Sequence, residues 1–148
     1  MWRRLACVVL LALAFAAPAP AQRAGEDVGL RGFARQVGLR DVDNFVAAVN
    51  GLRASGRLPA RWITKREAER RGWHPGDDVC RYATGGAIGG DHFGNFERRL
   101  PSANGREWRE ADLDYACGKR GPKRLLWSSD GMIYVTVDHY ANFREVPK

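Results

Sequence analysis

Residues 124–137 read RLLWSSDGMIYVTV and contain the strongest local fold signal in the chain. Two apolar runs, rich in residues that favour strands, flank the pair Asp130-Gly131. A dipeptide of this type readily adopts the positive φ angles that a two-residue hairpin turn requires. The stretch therefore predicts an antiparallel β-hairpin with Asp130 and Gly131 at its turn.

Short strands separated by turns are predicted on both sides of this hairpin. The pattern after about Gly85 indicates strands at 87–93, 107–115, 124–129, 132–137 and 142–146. The sequence ahead of them is helical in pattern. We therefore predict an α+β fold in which N-terminal helices pack on one face of a C-terminal antiparallel β-sheet. The other face would stay free for a substrate.

The main helix is predicted to begin near position 42. Apolar residues recur at helical spacing from Val42 to Leu52. Asp41 and Asp43 are candidate N-caps, and Gly56 is placed to end the helix.

A second, shorter helix is predicted to open with Thr64-Lys65-Arg66-Glu67 and to close at Gly72. The opening has the spacing of a capping box, in which the Thr64 side chain and Glu67 satisfy free N–H groups of the first turn. Lys65 would therefore lie in that first turn.

The N-terminus has the composition of an export signal. Arg3 and Arg4 precede an apolar run that ends at Ala17, and Ala19-Pro20-Ala21 supplies the small residues that signal peptidase recognises. The run is shorter than the roughly 20 apolar residues that span a bilayer, which argues against a membrane anchor. We predict a signal peptide at 1–21 and a protein secreted to the periplasm or the exterior, without stable membrane association.

Beyond that signal, the chain is long enough for one domain. Residues 22–40 are rich in Gly, Arg and Ala without a sustained period, which indicates a loose N-terminal leader ahead of a folded domain at 41–148. The formal net charge is +7 and falls to +5 without residues 1–21. A basic chain suits phosphate, anionic lipid or acidic protein partners, and charge alone does not choose among them.

Removal of the signal would leave two cysteines, Cys80 and Cys117. An exported protein meets oxidising conditions, which favour a disulfide between them. Two buried free cysteines or two metal ligands are the alternatives, although no His or Cys lies near either at zinc-like spacing.

Period-two geometry divides the predicted strand at 107–115 into two faces. Ala111 points to one face and is predicted to enter the core, while Glu110 and Asp112 point to the other. Glu110 would thus face the substrate groove. The Asp112 carboxylate beside it would orient the arginines of the following loop through charge-assisted hydrogen bonds.

Five side chains form a candidate catalytic group. Glu110 supplies a carboxylate, His139 an imidazole and Lys65 a cation, to which Arg120 and Arg124 add two more. Such groups can take a proton from a ribose 2′-hydroxyl, return one to the departing 5′-oxygen and neutralise the phosphate between them. The set indicates an RNA-cleaving enzyme. Taken singly, each residue also suits a solvated surface.

Five sequence blocks carry a family resemblance. They are WITK with GW at 62–73, IGGD at 88–91, WREAD at 108–112, SSD at 128–130 and DHY at 138–140. In order and spacing they resemble the barnase and binase family, secreted bacterial ribonucleases that prefer guanine. The resemblance extends from about Val42 to Val146. It implies the microbial ribonuclease fold and a metal-independent enzyme without a cofactor.

The resemblance also implies catalytic roles. Glu110 falls at the position of the family's general base and His139 at that of its general acid. Lys65, Arg120 and Arg124 fall at the cations that bind the scissile phosphate.

Other positions correspond to substrate contacts. Tyr140 matches a substrate-contacting tyrosine, and Asp91 matches an acidic residue that is expected to position Lys65. Asn95 and Glu97 match the guanine-recognition loop, where a carboxylate can accept hydrogen bonds from the N1–H and the amine of guanine.

The same loop contains a departure from the family. Barnase has Ser-Asn-Arg-Glu where this chain has Gly94-Asn95-Phe96-Glu97, so Phe96 replaces an arginine. Phe96 can stack on a base or merely fill a gap, which leaves the strength of guanine preference open. Lys119 replaces an apolar aromatic and adds a cation beside Arg120.

We therefore expect a monomeric endoribonuclease that cleaves single-stranded RNA after guanosine through a 2′,3′-cyclic phosphate. The resemblance also implies an acidic, barstar-like inhibitor protein as a partner, which would cover the basic groove. The alternative is a non-enzymatic basic protein that binds polyanions or membrane surfaces with the same charge.

Overall fold

The computed structural model describes residues 19–148. Its helices are α1 (Pro20–Gln36), α2 (Val42–Ser55) and α3 (Lys65–Arg70), and a short 3-10 helix spans Val79–Arg81. Its strands are β1 (Trp62–Ile63), β2 (Ala87–Phe93), β3 (Trp108–Asp112), β4 (Arg124–Ser128), β5 (Ile133–Thr136) and β6 (Arg144–Glu145). None of the described helices has the length and apolar character needed to cross a membrane. The predicted signal peptide at 1–21 lies almost wholly outside the described residues.

The strands form a single sheet in the order β1 to β6. β1 pairs with β2 in parallel, and each later strand pairs antiparallel with the one before it. The predicted α+β fold is confirmed, as are the five antiparallel strands, several of which are shorter than expected. The sequence did not predict β1, because two residues are too few to show a periodic pattern.

The β4–β5 turn is longer than the predicted two residues. The Ser128 N–H donates to the Met132 carbonyl, so the loop between them holds the three residues 129–131. Gly131 has a φ of +93° and donates its N–H to the Ser128 carbonyl. A tight turn that ends in a left-handed residue is the common form of a three-residue hairpin loop. The Asp-Gly pair therefore predicted the position of the hairpin correctly, but the predicted length of its loop was wrong.

Both predicted helices are confirmed, each with a side-chain cap at its start, but only the Thr64 half of the predicted capping box forms, because the Glu67 carboxylate accepts from Arg71 instead. The Asp41 carboxylate accepts a hydrogen bond from the Asn44 N–H at the start of α2, and Gly56 ends that helix with a φ of +69°. At the start of α3, Thr64 Oγ1 accepts from the Glu67 N–H at 3.2 Å. Each helix thus begins where a side chain satisfies a free backbone donor.

Helix α1 corrects the expectation of a loose leader at 22–40. Its Phe33 stacks on Phe45 of α2 with ring centroids 6.0 Å apart. The apolar positions are too few, within a Gly- and Arg-rich segment, to give a sustained period, but they suffice for one contact face. Cleavage after Ala21 stays a prediction. The buried residues of this segment are Leu30, Phe33, Ala34 and Leu39.

The sheet carries hydrophobic side chains on both faces. The main core lies between the helices and one face. On the other face, which the sequence predicted to be free, Leu100, Trp108 and Leu126 form a second small core. Phe93 and Tyr140 pack against it. This cluster gives the second face an aromatic floor.

Cys80 and Cys117 form the predicted disulfide, with their Cα atoms 5.5 Å apart. The Asp78 carboxylate lies near both sulfurs. Because the sulfurs are bonded to each other, they offer no thiolate to a metal. The bridge ties the 3-10 helix to the loop between β3 and β4.

We predict that the double change Cys80→Ser and Cys117→Ser lowers the free energy of unfolding by about 4 kcal/mol, because the bridge closes a long loop in the unfolded chain. The linked cysteines are 37 positions apart. Urea unfolding of both proteins measures the difference. Thiol labelling of the denatured, unreduced protein should add no mass, and two added labels would show that the bridge does not form.

Arg106 fastens the segment before β3 to the β4–β5 turn. Its Nε donates to both Asp130 oxygens at 2.9 Å, and its Nη2 donates to Oδ2 at 2.7 Å. Its Nη1 donates to the Pro101 carbonyl. Hydrogen bonds from Arg106 lower the pKa of Asp130 to about 2.

We predict that Asp130→Asn destabilises the protein at neutral pH and progressively less in acid. The folded pKa of about 2 lies below the ordinary value of about 4. The stabilisation is therefore complete above pH 4 and disappears as the pH falls from about 4 to about 2. Urea unfolding at several pH values checks this, with Asp43→Asn, at the exposed Arg31–Asp43 pair, as the control. A difference independent of pH would refute it.

Candidate active site

An open cavity of about 570 Å³ lies on the second face of the sheet. Residues from 92–99 form one wall and residues from 139–143 form the other, while Glu110 of β3 contributes to the floor. The cavity thus joins the predicted base, the predicted acid and the predicted guanine loop. We call it the catalytic groove.

Glu110 lies at the centre of this groove. Its side chain is only 12% exposed, and Tyr140 Oη donates a hydrogen bond to its Oε2. Lys65 Nζ lies 3.9 Å from its Oε1. Burial and the hydrogen bond to Glu110 raise the pKa of Tyr140 to about 12. Tyr140 therefore keeps its proton and orients one Glu110 oxygen, while Oε1 stays next to the lysine.

Asp112 lies beside both arginines, but the predicted hydrogen bonds form with Arg120 and not with Arg124. Its carboxylate is buried and accepts from Arg120 Nε at 2.7 Å and from Arg120 Nη2 at 2.8 Å. These hydrogen bonds raise the pKa of the Arg120 guanidinium, so its charge is permanent. A two-point contact also fixes the plane of that guanidinium.

Arg124 is held differently. Its Nε lies 3.0 Å from Asp112 Oδ1, but the angle is unsuitable for a hydrogen bond, and this buried N–H has no acceptor among the described residues. Its Nη1 donates to the carbonyls of Gly121 and Lys123. The charge of Arg124 acts to lower the pKa of Tyr140, against the larger effects of burial and Glu110.

Asp91 positions Lys65 through the main chain. Its two carboxylate oxygens accept from the Lys65 N–H at 3.0 and 3.2 Å. Lys65 is the first residue of α3, where a carboxylate also interacts favourably with the helix dipole. Asp91 faces Glu110 across the β2–β3 pair. The pairing of the two strands thus places the start of α3 beside Glu110.

His139 and Tyr140 lie in an unusual backbone segment, with φ angles of +56° and +70°. The Tyr140 N–H donates to Thr136 Oγ1 at 3.0 Å, and the His139 N–H donates to the Pro122 carbonyl. The imidazole is exposed at the groove and makes no hydrogen bond with the described residues. Strained non-glycine residues held by their surroundings are common at functional sites.

Two contributors to the groove were not found from the sequence. Phe93 stacks on Tyr140 with ring centroids 5.2 Å apart, and Arg99 pairs with Glu97 at 2.9 Å. Phe93 ends a predicted strand, so its burial was foreseeable. Its partner lies in a distant loop, for which no local pattern exists.

The predicted guanine loop has one anchored residue and two exposed ones. The Asn95 amide donates to the Leu100 carbonyl at 2.9 Å and accepts from the Leu100 N–H at 3.1 Å. Asn95 therefore holds the loop closed. Phe96 is 95% exposed beside the groove, and the Glu97 side chain is 78% exposed.

Comparison with known proteins gives one consistent result. Residues 47–147 match the ribonuclease family model. Ribonucleases of Bacillus intermedius and Bacillus pumilus are each 45% identical over 109 residues, which is 73% of this chain and 67% of theirs. A ribonuclease of Heyndrickxia coagulans is 45% identical over 106 residues, which is 71% of this chain and 97% of its own. The chain therefore belongs to the barnase–binase family of bacterial ribonucleases.

Proposed function

We propose that this protein is a secreted endoribonuclease that cleaves single-stranded RNA after guanosine by metal-independent transesterification. The observation that carries the proposal is the largely buried Glu110 carboxylate. Tyr140 holds one of its oxygens, Lys65 lies beside the other, and His139 is exposed on the wall of the same groove.

Glu110 acts as the general base. The Tyr140 hydrogen bond keeps Oε2 in place, so Oε1 is the oxygen that takes the proton from a ribose 2′-hydroxyl. The freed oxygen attacks phosphorus, and the P–O5′ bond breaks. Protonated His139 donates a proton to the leaving 5′-oxygen, which yields a 2′,3′-cyclic phosphate. Water can open this ring when the two groups exchange roles.

The cations stabilise the charge that develops on the phosphoryl oxygens. Asp112 orients Arg120, and the carbonyls of Gly121 and Lys123 hold Arg124, so both arginines need little rearrangement as the transition state forms. Lys65 adds a third positive charge at the other side of Glu110. This arrangement assigns every step to a side chain and requires no cofactor.

The guanine preference is assigned to Glu97. Its carboxylate can accept from the adjacent N1–H and amine of guanine, whereas adenine has no N1–H to offer. Glu97 must first leave Arg99, and an exposed pair of this kind is worth about 1 kcal/mol or less. Phe96 and Tyr140 supply aromatic surface next to the loop, and Asn95 keeps the loop closed.

Three further features of the proposal concern the protein's surroundings. The Cys80–Cys117 disulfide supports export to an oxidising compartment. The cationic groove supports an acidic, barstar-like inhibitor protein, because opposite charge speeds association and favours the matching partner. We propose a monomer as the active species.

We predict that Glu110→Ala and His139→Ala each lower the rate of RNA cleavage by about 10²- to 10⁴-fold, because each change removes a positioned proton-transfer group. Single-turnover cleavage of a guanosine-containing dinucleotide measures the loss. His74→Ala, at an exposed histidine outside the groove, is the control and should retain full activity. A folded Glu110→Ala or His139→Ala protein with normal activity would rule out the mechanism.

A second assay separates the proposed ribonuclease from two alternatives, a non-enzymatic polyanion-binding protein and a metal-dependent nuclease. RNA and DNA are incubated with the protein with and without a chelator. RNA should be cut in both conditions, while DNA should bind and survive because it lacks the 2′-hydroxyl nucleophile. Binding without any cleavage supports the first alternative, and activity lost to the chelator supports the second.

We predict that Glu97→Gln reduces cleavage after guanosine more than cleavage after other bases. Leaving a buried guanine donor without its charged acceptor costs about 1–3 kcal/mol. Dinucleotides that differ only in the base on the 5′ side of the scissile phosphate measure the effect. Glu26→Gln, at an exposed position of α1, is the matched control. Equal rates after guanosine and adenosine in the unmodified enzyme would exclude a guanine site and leave the ribonuclease reaction intact.

A further inference from the structure

A second cavity, of about 670 Å³, lies on the opposite face of the sheet from the catalytic groove. Trp62, Trp127 and Ile133 line it, and all three belong to the main core between helices and sheet. It opens between the end of α2 and the β4–β5 turn. A cavity of several hundred cubic ångströms is large enough for a small organic ligand.

The rim of this cavity is positively charged. Arg53 of α2, Arg57 of the following loop and Arg109 of β3 all line it, against the single carboxylate of Glu107. Arg109 reaches this face because it precedes Glu110 on β3, and successive strand residues point to opposite faces. The two cavities therefore lie on opposite sides of β3, and each is lined by residues of that strand.

The three guanidinium groups retain donors for a ligand. Arg109 Nη1 donates to the Gly90 carbonyl at 2.8 Å, and Arg53 Nη2 donates to the Pro147 carbonyl. Each guanidinium has five N–H donors, so most remain available. Arg57 makes no hydrogen bond or ion pair within the described part of the chain. Planar donor pairs of this kind match the oxygens of a phosphate.

The inner surface is apolar and has open space. Leu52 and the two tryptophans form its walls. Gly56 and Gly131 are exposed at its margin, so the mouth of the cavity is open to solvent. A ligand that suits this surface has an anionic group for the rim and a flat, largely apolar part for the interior.

We propose that this cavity is a second nucleotide-binding site, separate from the catalytic groove, that takes a phosphate on its arginines and a base against its walls. Its ligand is a nucleotide phosphate, either of a free mononucleotide or of an RNA strand end. A ribonuclease produces both kinds of molecule around itself. The inference uses none of the catalytic residues and goes beyond the proposed reaction.

Titration of ¹⁵N-labelled protein with guanosine 3′-monophosphate tests the site. The amide signals of Gly56, Ser129 and Gly131 should shift, and Arg57→Gln should weaken the binding that they report by about fivefold. Arg35→Gln makes the same charge change on α1 outside the cavity and should have no such effect. The signals should shift equally in Glu110→Ala protein, which separates this test from that of the catalytic mechanism.

A titration without shifts at these three amides would overturn the proposal, as would equal weakening by Arg57→Gln and Arg35→Gln. A deoxytetranucleotide, which the enzyme cannot cleave, distinguishes the sources of the ligand. If the deoxytetranucleotide binds more tightly than the mononucleotide, and Arg57→Gln weakens that binding, the natural ligand is the end of an RNA strand. Equal affinities identify the free mononucleotide.

Discussion

The buried carboxylate of Asp112 constrains much of the catalytic face. An isolated charge at a site only 2% exposed would be costly, so it needs partners of opposite charge. Arg120 of the loop between β3 and β4 supplies that charge together with Arg124, which pairs with Asp112 at the start of β4. The main chain at Asp112 is itself fixed, because Trp62 Nε1 donates to its carbonyl at 2.9 Å. The need to neutralise one buried acid thus places the two arginines that are proposed to bind the phosphate.

Features coded within a few residues could be predicted from the sequence. The caps of α2 and α3 depend on side chains that contact their own helix, and both were found. Period-two alternation placed Glu110 and Asp112 together on one face of β3, where the structure has them. The pairing of Cys80 and Cys117 followed from the compartment and from the count of cysteines.

Features that depend on distant partners could not be predicted in this way. β1 exists because Trp62 and Ile63 pair with β2, and two residues show no pattern of their own. Helix α1 is stabilised by packing on α2, which overrides a weak local preference. The contacts of Tyr140 with Glu110 and Phe93 join segments from three parts of the chain. The proposed catalytic roles came from the family resemblance, because local pattern alone could not assign them.

The sheet follows the order of the chain, and this has a consequence during synthesis. A ribosome that has released the polypeptide only as far as β4 has delivered Glu110 together with Arg120 and Arg124, and the positive charges of the two arginines can already attract RNA. It has not delivered Tyr140, which orients Glu110, or the proposed proton donor next to it. If the proposed mechanism holds, a nascent or prematurely terminated chain would lack both its proton donor and the tyrosine that orients Glu110.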